Sequence, residues 1–159
     1  RAGLIKKHHI KTYSYNMMGL PFETQEMIRD TITLNQQVEI DSGDVFFFYP
    51  FPKTKLYAIC QNFGLLLADK GRRPLSSYMR EPAIRLEHIS RKQISRLYAQ
   101  FSAYLIELQL FPGNKKGASL LKKFIRFVAF VAPELFNGLV FRLKQTRVAR
   151  KLAYCFSGR

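Results

Sequence analysis

Residues 44–60 read DVFFFYPFPKTKLYAIC, and this stretch decides how the rest of the chain is interpreted. Every side chain from Val45 to Tyr49 is apolar or aromatic, whereas a strand with one face in water would alternate apolar and polar side chains. Such a run predicts a strand covered on both faces, as in the parallel sheet of an α/β fold. Pro50 and Pro52 have no N–H to donate to a sheet ladder, so the strand must end there.

An earlier strand is predicted over residues 12–18, where Thr, Tyr and Met side chains are frequent and Gly-Leu-Pro follows. A helix is predicted between the two strands, with Thr24 as its N-cap and its end near residue 37. Strand, helix and strand in this order form a βαβ unit, whose two strands lie parallel. Thr54 then begins a second helix, which Gly64 ends.

The second half of the chain predicts helices only. Ser90 and Gln93 have the spacing of a capping box, and apolar residues follow at intervals of three and four. Two further helices are predicted over residues 119–131 and 133–152. The chain therefore divides into three parts: residues 1–65, which form the sheet, residues 66–89, which connect, and residues 90–159, which are helical and basic.

Charge restricts the partners that fit this 159-residue chain, which is 47% hydrophobic and carries a net charge of +15. Residues 1–70 hold eight Lys and Arg against seven Asp and Glu, a net charge of +1. Residues 71–159 hold 18 against four, a net charge of +14. The second half is therefore expected to meet an acidic partner such as a membrane surface, nucleic acid or another protein segment.

Localisation and metal binding are judged from what the sequence lacks. No secretory signal is recognisable and no window holds 18 uncharged apolar residues, so a cytoplasmic protein is expected and a membrane span is not. Cys60 and Cys155 are too few for a disulfide framework or a four-ligand metal site, and both are predicted to be buried thiols. No catalytic residue and no metal ligand is assigned.

The two strand-to-helix junctions resemble motifs of one enzyme family. YNMMGLPFET, residues 15–24, resembles the GLPGET segment of radical S-adenosylmethionine (radical SAM) enzymes. FYPFPKTKLYAIC, residues 48–60, resembles FYPYPGTKLYEIC in radical SAM proteins that carry an N-terminal cobalamin-binding domain. Two motifs in this order at βαβ spacing are more specific than either alone. The chain departs from the family at Phe22 and Lys53, where the family has glycine.

The resemblance implies a fold in which this chain supplies the last two β/α units of a partial, TIM-like (β/α) barrel, followed by an all-helical C-terminal region. The earlier strands, the cysteines of a [4Fe–4S] cluster and any cobalamin domain would precede it. The CxxxCxxC motif that binds the cluster is absent from this chain, so the fragment alone would be inactive. Phe46, Phe47 and Phe48 are expected to need neighbours from that missing part, because two parallel strands are not a stable sheet alone.

The same resemblance implies a cofactor site at the end of the first strand. In the family, backbone around the matching glycine lies against the adenine of S-adenosylmethionine. Met18, Gly19 and Leu20 would form that contact, and Glu23 and Thr24 would fix the loop. Parallel barrels place their chemistry at the carboxyl ends of strands, where these residues lie.

The second junction is assigned to the substrate cavity, through Tyr49, Phe51 and Thr54. The chemistry implied by the resemblance is reductive cleavage of S-adenosylmethionine to a 5′-deoxyadenosyl radical, for methylation or rearrangement of a small-molecule or lipid-like substrate. Cobalamin is the further cofactor that the resemblance suggests. The alternative to an enzymatic function is a non-catalytic basic helical module that binds an anionic membrane or nucleic acid.

The basic tail has its own alternatives. We expect a solvated basic face on helices that pack against the barrel, with Phe124, Phe127 and Phe130 buried. Docking on an anionic membrane or holding a lipid-like substrate is the alternative, and nucleic acid is less favoured because no aromatic stacking platform is evident. The membrane alternative predicts that the basic residues gather beside an exposed apolar strip: Lys122, Lys123, Arg126, Arg142, Lys144, Arg147, Arg150 and Lys151.

Overall fold

The computed structural model describes residues 2–67, 81–111 and 119–156. Their helices and strands, in chain order, are α1 (Ala2–Lys7), β1 (Tyr13–Met18), α2 (Gln25–Val38), β2 (Ser42–Phe47), α3 (Lys55–Asn62), α4 (Arg91–Leu110), α5 (Ser119–Val131) and α6 (Pro133–Phe156). The predicted order of strand, helix, strand and helix followed by helices is confirmed.

The two strands are parallel neighbours, as the βαβ interpretation predicted. Their register runs from Tyr13 opposite Ser42 to Met18 opposite Phe47. The Phe48 N–H extends the ladder by donating to the Met18 carbonyl over 2.8 Å. In a parallel ladder, alternate residues of a strand direct their backbone groups to the same neighbour. Met18 therefore pairs with β2, whereas Met17 directs its backbone groups to the opposite edge of β1.

The predicted helix starts are confirmed by their caps. Thr24, Thr54 and Ser90 each accept a hydrogen bond on the side-chain oxygen from the backbone N–H three residues further on. At Ser90 the reciprocal bond from Gln93 completes the capping box. These bonds satisfy N–H groups that have no partner within the helix, so the caps fix where α2, α3 and α4 begin.

One face of the sheet packs against α2 and α4. Met18, Val45 and Phe47 are buried there, and the Phe47 ring stacks on Tyr98 of α4 with centroids 4.6 Å apart. The predicted apolar stripe of α4 is buried in the same cluster, with Leu108 at its partly buried margin: Ile94, Leu97, Tyr98, Phe101 and Leu105. The helical region and the sheet thus share one core.

The expectation that the phenylalanine run needs neighbours from outside the chain is wrong for two of its three members. Phe47 is 2% exposed beneath α4, and Phe48 is 4% exposed in a second cluster with Cys60 and Leu65. Both are covered by residues far along the sequence, which a local pattern does not reveal. Phe46, on the other face, is half-buried. The burial of Cys60 confirms its prediction as a buried thiol.

The opposite face of the sheet is open in β1. Tyr13, Tyr15 and Met17 are 47%, 77% and 50% exposed, so the strand alternates between a covered and an uncovered face. A parallel strand pair with an uncovered aromatic face is unusual for a complete sheet, because parallel sheets are covered on both sides.

The two edges of the sheet differ. On the outer edge of β2, the Gly43 carbonyl accepts a hydrogen bond from Gln109 Nε2 (3.2 Å), and the Val45 carbonyl accepts one from Lys144 Nζ (2.6 Å). Side chains of α4 and α6 therefore close that edge. No strand within residues 2–67, 81–111 and 119–156 pairs with the other edge of β1. If the sheet continues, it must continue from β1.

The C-terminal helices pack on α4 through small, aliphatic and aromatic side chains, among them Ala129 of α5 and Phe136 and Val140 of α6. Arg126 also makes two hydrogen bonds of 2.7 Å to the buried carboxylate of Glu107.

The prediction that three tail phenylalanines are buried is wrong. Phe124, Phe127 and Phe130 are 61%, 62% and 58% exposed. The face that α5 turns toward α4 carries Ile125, Val128 and Ala129 instead, so the larger rings lie outside the contact.

Some predictions fall outside the described part of the chain. These are the loop character of residues 68–80, the helix-ending segment within residues 112–118, and the side chains of Arg147, Arg150, Lys151 and Cys155. Within the described residues, no single helix has the length and hydropathy of a membrane span.

A network of buried amides holds β1 to α2. Asn35 Nδ2 donates to Asn16 Oδ1 (2.8 Å), and Ser14 Oγ donates to Asn35 Oδ1 (2.7 Å). We expect Asn35→Ala to lower the free energy of unfolding by about 2 kcal/mol, because it leaves buried polar atoms without partners. Chemical denaturation measures this. The exposed Gln37→Ala, on the same helix, is the control and should change stability little; equal effects of the two variants would contradict a structural role for the network.

Candidate functional site

The candidate site lies at the carboxyl ends of β1 and β2. Because the strands are parallel neighbours, the loop of residues 19–24 and the loop of residues 48–54 leave the sheet side by side. A Cβ built on Gly19 would lie 3.6 Å from the ring of Phe47, which shows how closely the first loop approaches the end of β2. The structure thus brings together the two segments that the sequence assigned to cofactor and substrate.

The first loop is fixed by the carboxylate of Glu23. Its Oε2 accepts hydrogen bonds from the backbone N–H of Gly19 and of Leu20 (3.2 Å), and the Glu23 N–H donates to the Leu20 carbonyl. Burial raises the pKa of the Glu23 carboxyl, while the two backbone hydrogen bonds oppose that rise. The side chain therefore acts as an internal clasp for the loop, as expected of a residue that holds the loop in place.

Gly19 has the backbone conformation that its residue type allows. Its φ is +78°, in the left-handed region that L side chains rarely adopt. A Cβ there would meet Ile94, Phe47 and Pro82 at 3.5–3.9 Å, which is ordinary contact. Glycine is thus needed here because of the backbone angle of the turn, and not because a side chain would lack room.

Phe22 and Lys53, where the chain departs from the family motifs, have the same left-handed backbone conformation as Gly19. Phe22 has φ +63° and Lys53 has φ +68°, both left-handed. The family has glycine at these positions, which adopts such angles without strain. The loops therefore have the conformation that glycine favours although the side chains differ. The Phe22 ring also makes an edge-to-face contact with the ring of Phe63, the residue after α3, with ring centroids 5.0 Å apart.

Met18, predicted to contact the adenine, and Thr24, predicted to fix the loop, both have structural partners. The Met18 side chain is 1% exposed in the core, and its carbonyl pairs with Phe48. The Thr24 hydroxyl caps α2 by accepting from the Met27 N–H over 3.3 Å. Any ligand contact from Met18 would therefore involve its backbone, and the ligand roles of both residues stay predictions.

The second loop brings two predicted cavity residues together. The rings of Tyr49 and Phe51 lie with centroids 5.1 Å apart, Tyr49 half-buried and Phe51 exposed. Thr54 donates its hydroxyl to the Phe51 carbonyl (2.8 Å) and accepts from the Tyr57 N–H, so its side chain is engaged in capping α3. The two rings form an aromatic surface at the strand end, and their contact with substrate stays a prediction.

The sequence did not reveal a charged cluster on the open face of the sheet. The hydroxyl of Tyr13 donates to the Asp44 carboxylate, and Lys144 Nζ lies 3.7 Å from the same carboxylate. The ammonium also lies 4.6 Å from the centroid of the Phe46 ring. Tyr13 and Asp44 belong to two segments that the sequence predicted to be parallel neighbours, but no local signal connects Lys144 with a strand so distant in sequence.

An open cleft of about 580 Å³ lies elsewhere, between α2, α4 and α5. Its lining includes Arg29, Gln36, Tyr104 and Arg126, none of which belongs to the strand-end loops. Among the described residues there is also no group of three or more His, Cys, Asp or Glu side chains arranged to hold a metal ion.

Comparison with known proteins associates the chain with a methylating enzyme. It is 33% identical over 104 residues to an uncharacterized methyltransferase of Pyrococcus horikoshii. The matched region covers 63% of this chain and 22% of that protein, so the chain spans about a fifth of the relative's length. No family model matches the chain.

The Glu23 clasp predicts a specific pH dependence. A raised folded-state pKa means that the folded protein binds this proton more tightly than the unfolded chain does. The contribution of Glu23 to stability is therefore largest below the ordinary glutamate pKa and decreases as the pH rises through the raised value. Glu23→Gln keeps an oxygen acceptor for both N–H groups and should remove this decrease, measured by urea unfolding between about pH 4 and pH 8.

Two further variants give this test its controls. Glu23→Ala leaves the two N–H groups without their acceptor and should lower stability by about 2 kcal/mol at neutral pH. Glu26→Gln, on the exposed first turn of α2, should leave the pH profile as it is in the parent protein. An unchanged profile in Glu23→Gln would show that the carboxylate is not the titrating group.

The left-handed backbone of Lys53 predicts a stabilising substitution. Lys53 is exposed, and a non-glycine residue in this conformation costs about 1 kcal/mol or more. Lys53→Gly should therefore raise the free energy of unfolding by about 0.5–1 kcal/mol after the extra flexibility of glycine in the unfolded chain is deducted. Ala58→Gly, within α3, should lower it by about 1 kcal/mol. Destabilisation by both variants in thermal unfolding would contradict the assigned loop geometry.

Proposed function

We propose that this chain is the C-terminal part of a radical SAM methyltransferase, in which it supplies the last two β/α units of a partial barrel and one wall of the S-adenosylmethionine site. One observation carries the proposal: Gly19, Phe22 and Lys53, at the positions where the two family motifs have glycine, all have the left-handed backbone that glycine adopts without strain. The similarity to a methyltransferase supports methyl transfer as the reaction class.

The first loop is suited to contact a flat ligand through its peptide groups. The N–H groups of Gly19 and Leu20 are bound by Glu23, and the backbone of Met18 belongs to the ladder with β2. These residues therefore have no free N–H to offer, and their contact with the adenine of S-adenosylmethionine would be van der Waals packing on the backbone. Glu23 serves this contact by holding the peptide groups in place before the ligand arrives.

The open face of the sheet supports membership of a larger barrel. In a parallel barrel, one face of each strand meets the outer helices and the other faces the interior. Here α2 and α4 cover one face, and Tyr13, Tyr15 and Met17 occupy the other. These side chains would line the barrel interior below the site, where a small-molecule or lipid-like substrate would enter past Tyr49 and Phe51.

The iron–sulfur and cobalamin groups would belong to sequence that precedes this chain. The described residues hold no metal-binding group of side chains, and the cluster motif does not occur in the sequence. Reductive cleavage of S-adenosylmethionine is the chemistry that a radical SAM cluster supplies when bound. The role left to this chain is to position the adenine, shape the cavity and close one side of the barrel.

The proposal is tested by substituting two glycines that share one backbone conformation. Gly19 and Gly64 have φ of +78° and +62°, so alanine strains both, but only Gly19 lies in the proposed adenine contact. In the full-length gene product, Gly19→Ala should weaken S-adenosylmethionine binding about tenfold, a loss of about 1.4 kcal/mol. Gly64→Ala should bind as the parent does. Anaerobic equilibrium binding after cluster reconstitution measures both.

Two outcomes would contradict the proposal. Equal affinity in the parent and in Gly19→Ala would remove this loop from the cofactor site. A full-length product without an in-frame CxxxCxxC motif, and without formation of 5′-deoxyadenosine from S-adenosylmethionine under reducing conditions, would leave the rival function, a non-catalytic binding module.

A further inference from the structure

The C-terminal helices expose an apolar strip that consists of two rows of side chains, one on each helix. On α5, Leu120, Phe124, Phe127 and Val131 recur at intervals of four and three, which places them on one side of a helix. They are 83%, 61%, 62% and 59% exposed. The opposite side of α5 packs on α4, so these four side chains point away from the molecule.

The strip continues on α6. Leu135, Leu139 and Leu143 recur at intervals of four and are 78%, 56% and 48% exposed. Phe136 and Val140, on the adjoining face of α6, are buried in the cluster with α4. Val131 ends the row on α5, and Leu135 begins the row on α6 four residues later in the sequence. Seven large exposed apolar side chains on two consecutive helices exceed the scattered exposed residues that a soluble surface normally carries.

The geometry of the two helices favours contact with a membrane surface over a span. Leu120–Val131 and Pro133–Thr146 together have the length and hydropathy of a span, but their axes are bent by 115° at the break. A sharply bent amphipathic pair can place its apolar side into the interfacial layer of a bilayer while its other side remains bound to protein.

Charge identifies the kind of surface. Residues 119–156 contain eight Lys and Arg and one acidic residue, Glu134. Arg126 and Lys144 pair with Glu107 and Asp44 within the protein. Lys123 and Arg142 are exposed on the same helices as the apolar strip. Each basic residue near an anionic leaflet contributes about 1 kcal/mol, so an apolar strip among cations fits anionic lipid better than a neutral partner.

A strand added to the sheet at β1 would not be the natural cover for this strip. Among the described residues, β1 has no neighbour on its outer edge, which is where a preceding strand would pair. The α6 helix lies at the other edge of the sheet, where Lys144 Nζ donates to the Val45 carbonyl. A strand paired with β1 would therefore lie at the edge of the sheet opposite to α6.

We propose that the exposed side of α5 and α6 docks on an anionic membrane surface. The seven apolar side chains insert at the level of the lipid headgroups, and Lys123 and Arg142 contact lipid phosphates. This inference does not rest on the proposed enzymatic function. It requires only that the full-length protein presents the same two helices.

Co-sedimentation of the full-length protein with vesicles tests the inference. Vesicles of phosphatidylcholine alone are compared with vesicles containing phosphatidylglycerol, at about 50 mM and about 500 mM salt, since screening weakens surface attraction. We expect binding to the anionic vesicles that decreases at high salt. Leu139→Ser should lower the partition coefficient about tenfold, because less apolar surface is buried.

The controls match each variant. Leu34→Ser on α2 removes an equally exposed leucine (58%) outside the strip and should bind as the parent does. Lys123→Glu should lower binding to anionic vesicles at least about fivefold, whereas Lys92→Glu, exposed at the start of α4, should have a smaller effect. Absence of binding to either vesicle type overturns the proposal. So does equal loss in Leu139→Ser and Leu34→Ser, or a Leu139-dependent dimer that does not bind vesicles.

Discussion

The unequal edges of the two-stranded sheet constrain the rest of the molecule. The outer edge of β2 is closed by side chains from α4 and α6, of which the Lys144 ammonium at the Val45 carbonyl is the shortest contact. The edge of β1 has no described neighbour, and its open face carries exposed aromatic side chains. Unpaired strand edges and uncovered faces are unfavourable in parallel sheets. These features are the basis of our proposal that the two strands are the end of a larger sheet.

This arrangement also explains why the candidate site lies where it does. The two loops leave adjacent strands at the same end of the sheet. Glu23, which holds the first loop, and the aromatic pair Tyr49 and Phe51 of the second loop therefore both lie at the carboxyl ends of the strands. The backbone of the two loops is left-handed at Gly19, Phe22 and Lys53, and one of these three residues is a glycine. We interpret Phe22 and Lys53 as substitutions tolerated because the surrounding structure fixes the backbone.

The sequence predicted what local chemistry controls. Thr24, Thr54 and the Ser90–Gln93 box mark helix starts by their own hydrogen bonds, and the βαβ spacing predicted parallel pairing. It failed where distant residues decide the outcome. Phe47 is buried because Tyr98, which is distant in sequence, stacks on it. The side of α5 that is buried is the one that contacts α4, and the tail phenylalanines lie outside that contact. Closure of the β2 edge by α6 has no local signature.

Hydrogen exchange of the backbone amides of β1, in the full-length protein, tests most directly whether the sheet continues beyond this chain. Asn16 and Met18 direct their amides to β2, whereas Tyr15 and Met17 direct theirs to the open edge. If a preceding strand pairs there, the amides of Tyr15 and Met17 should be protected as strongly as those of Asn16 and Met18. Rapid exchange at Tyr15 and Met17 beside protected Asn16 and Met18 would show that the sheet ends at β1 and would contradict the barrel.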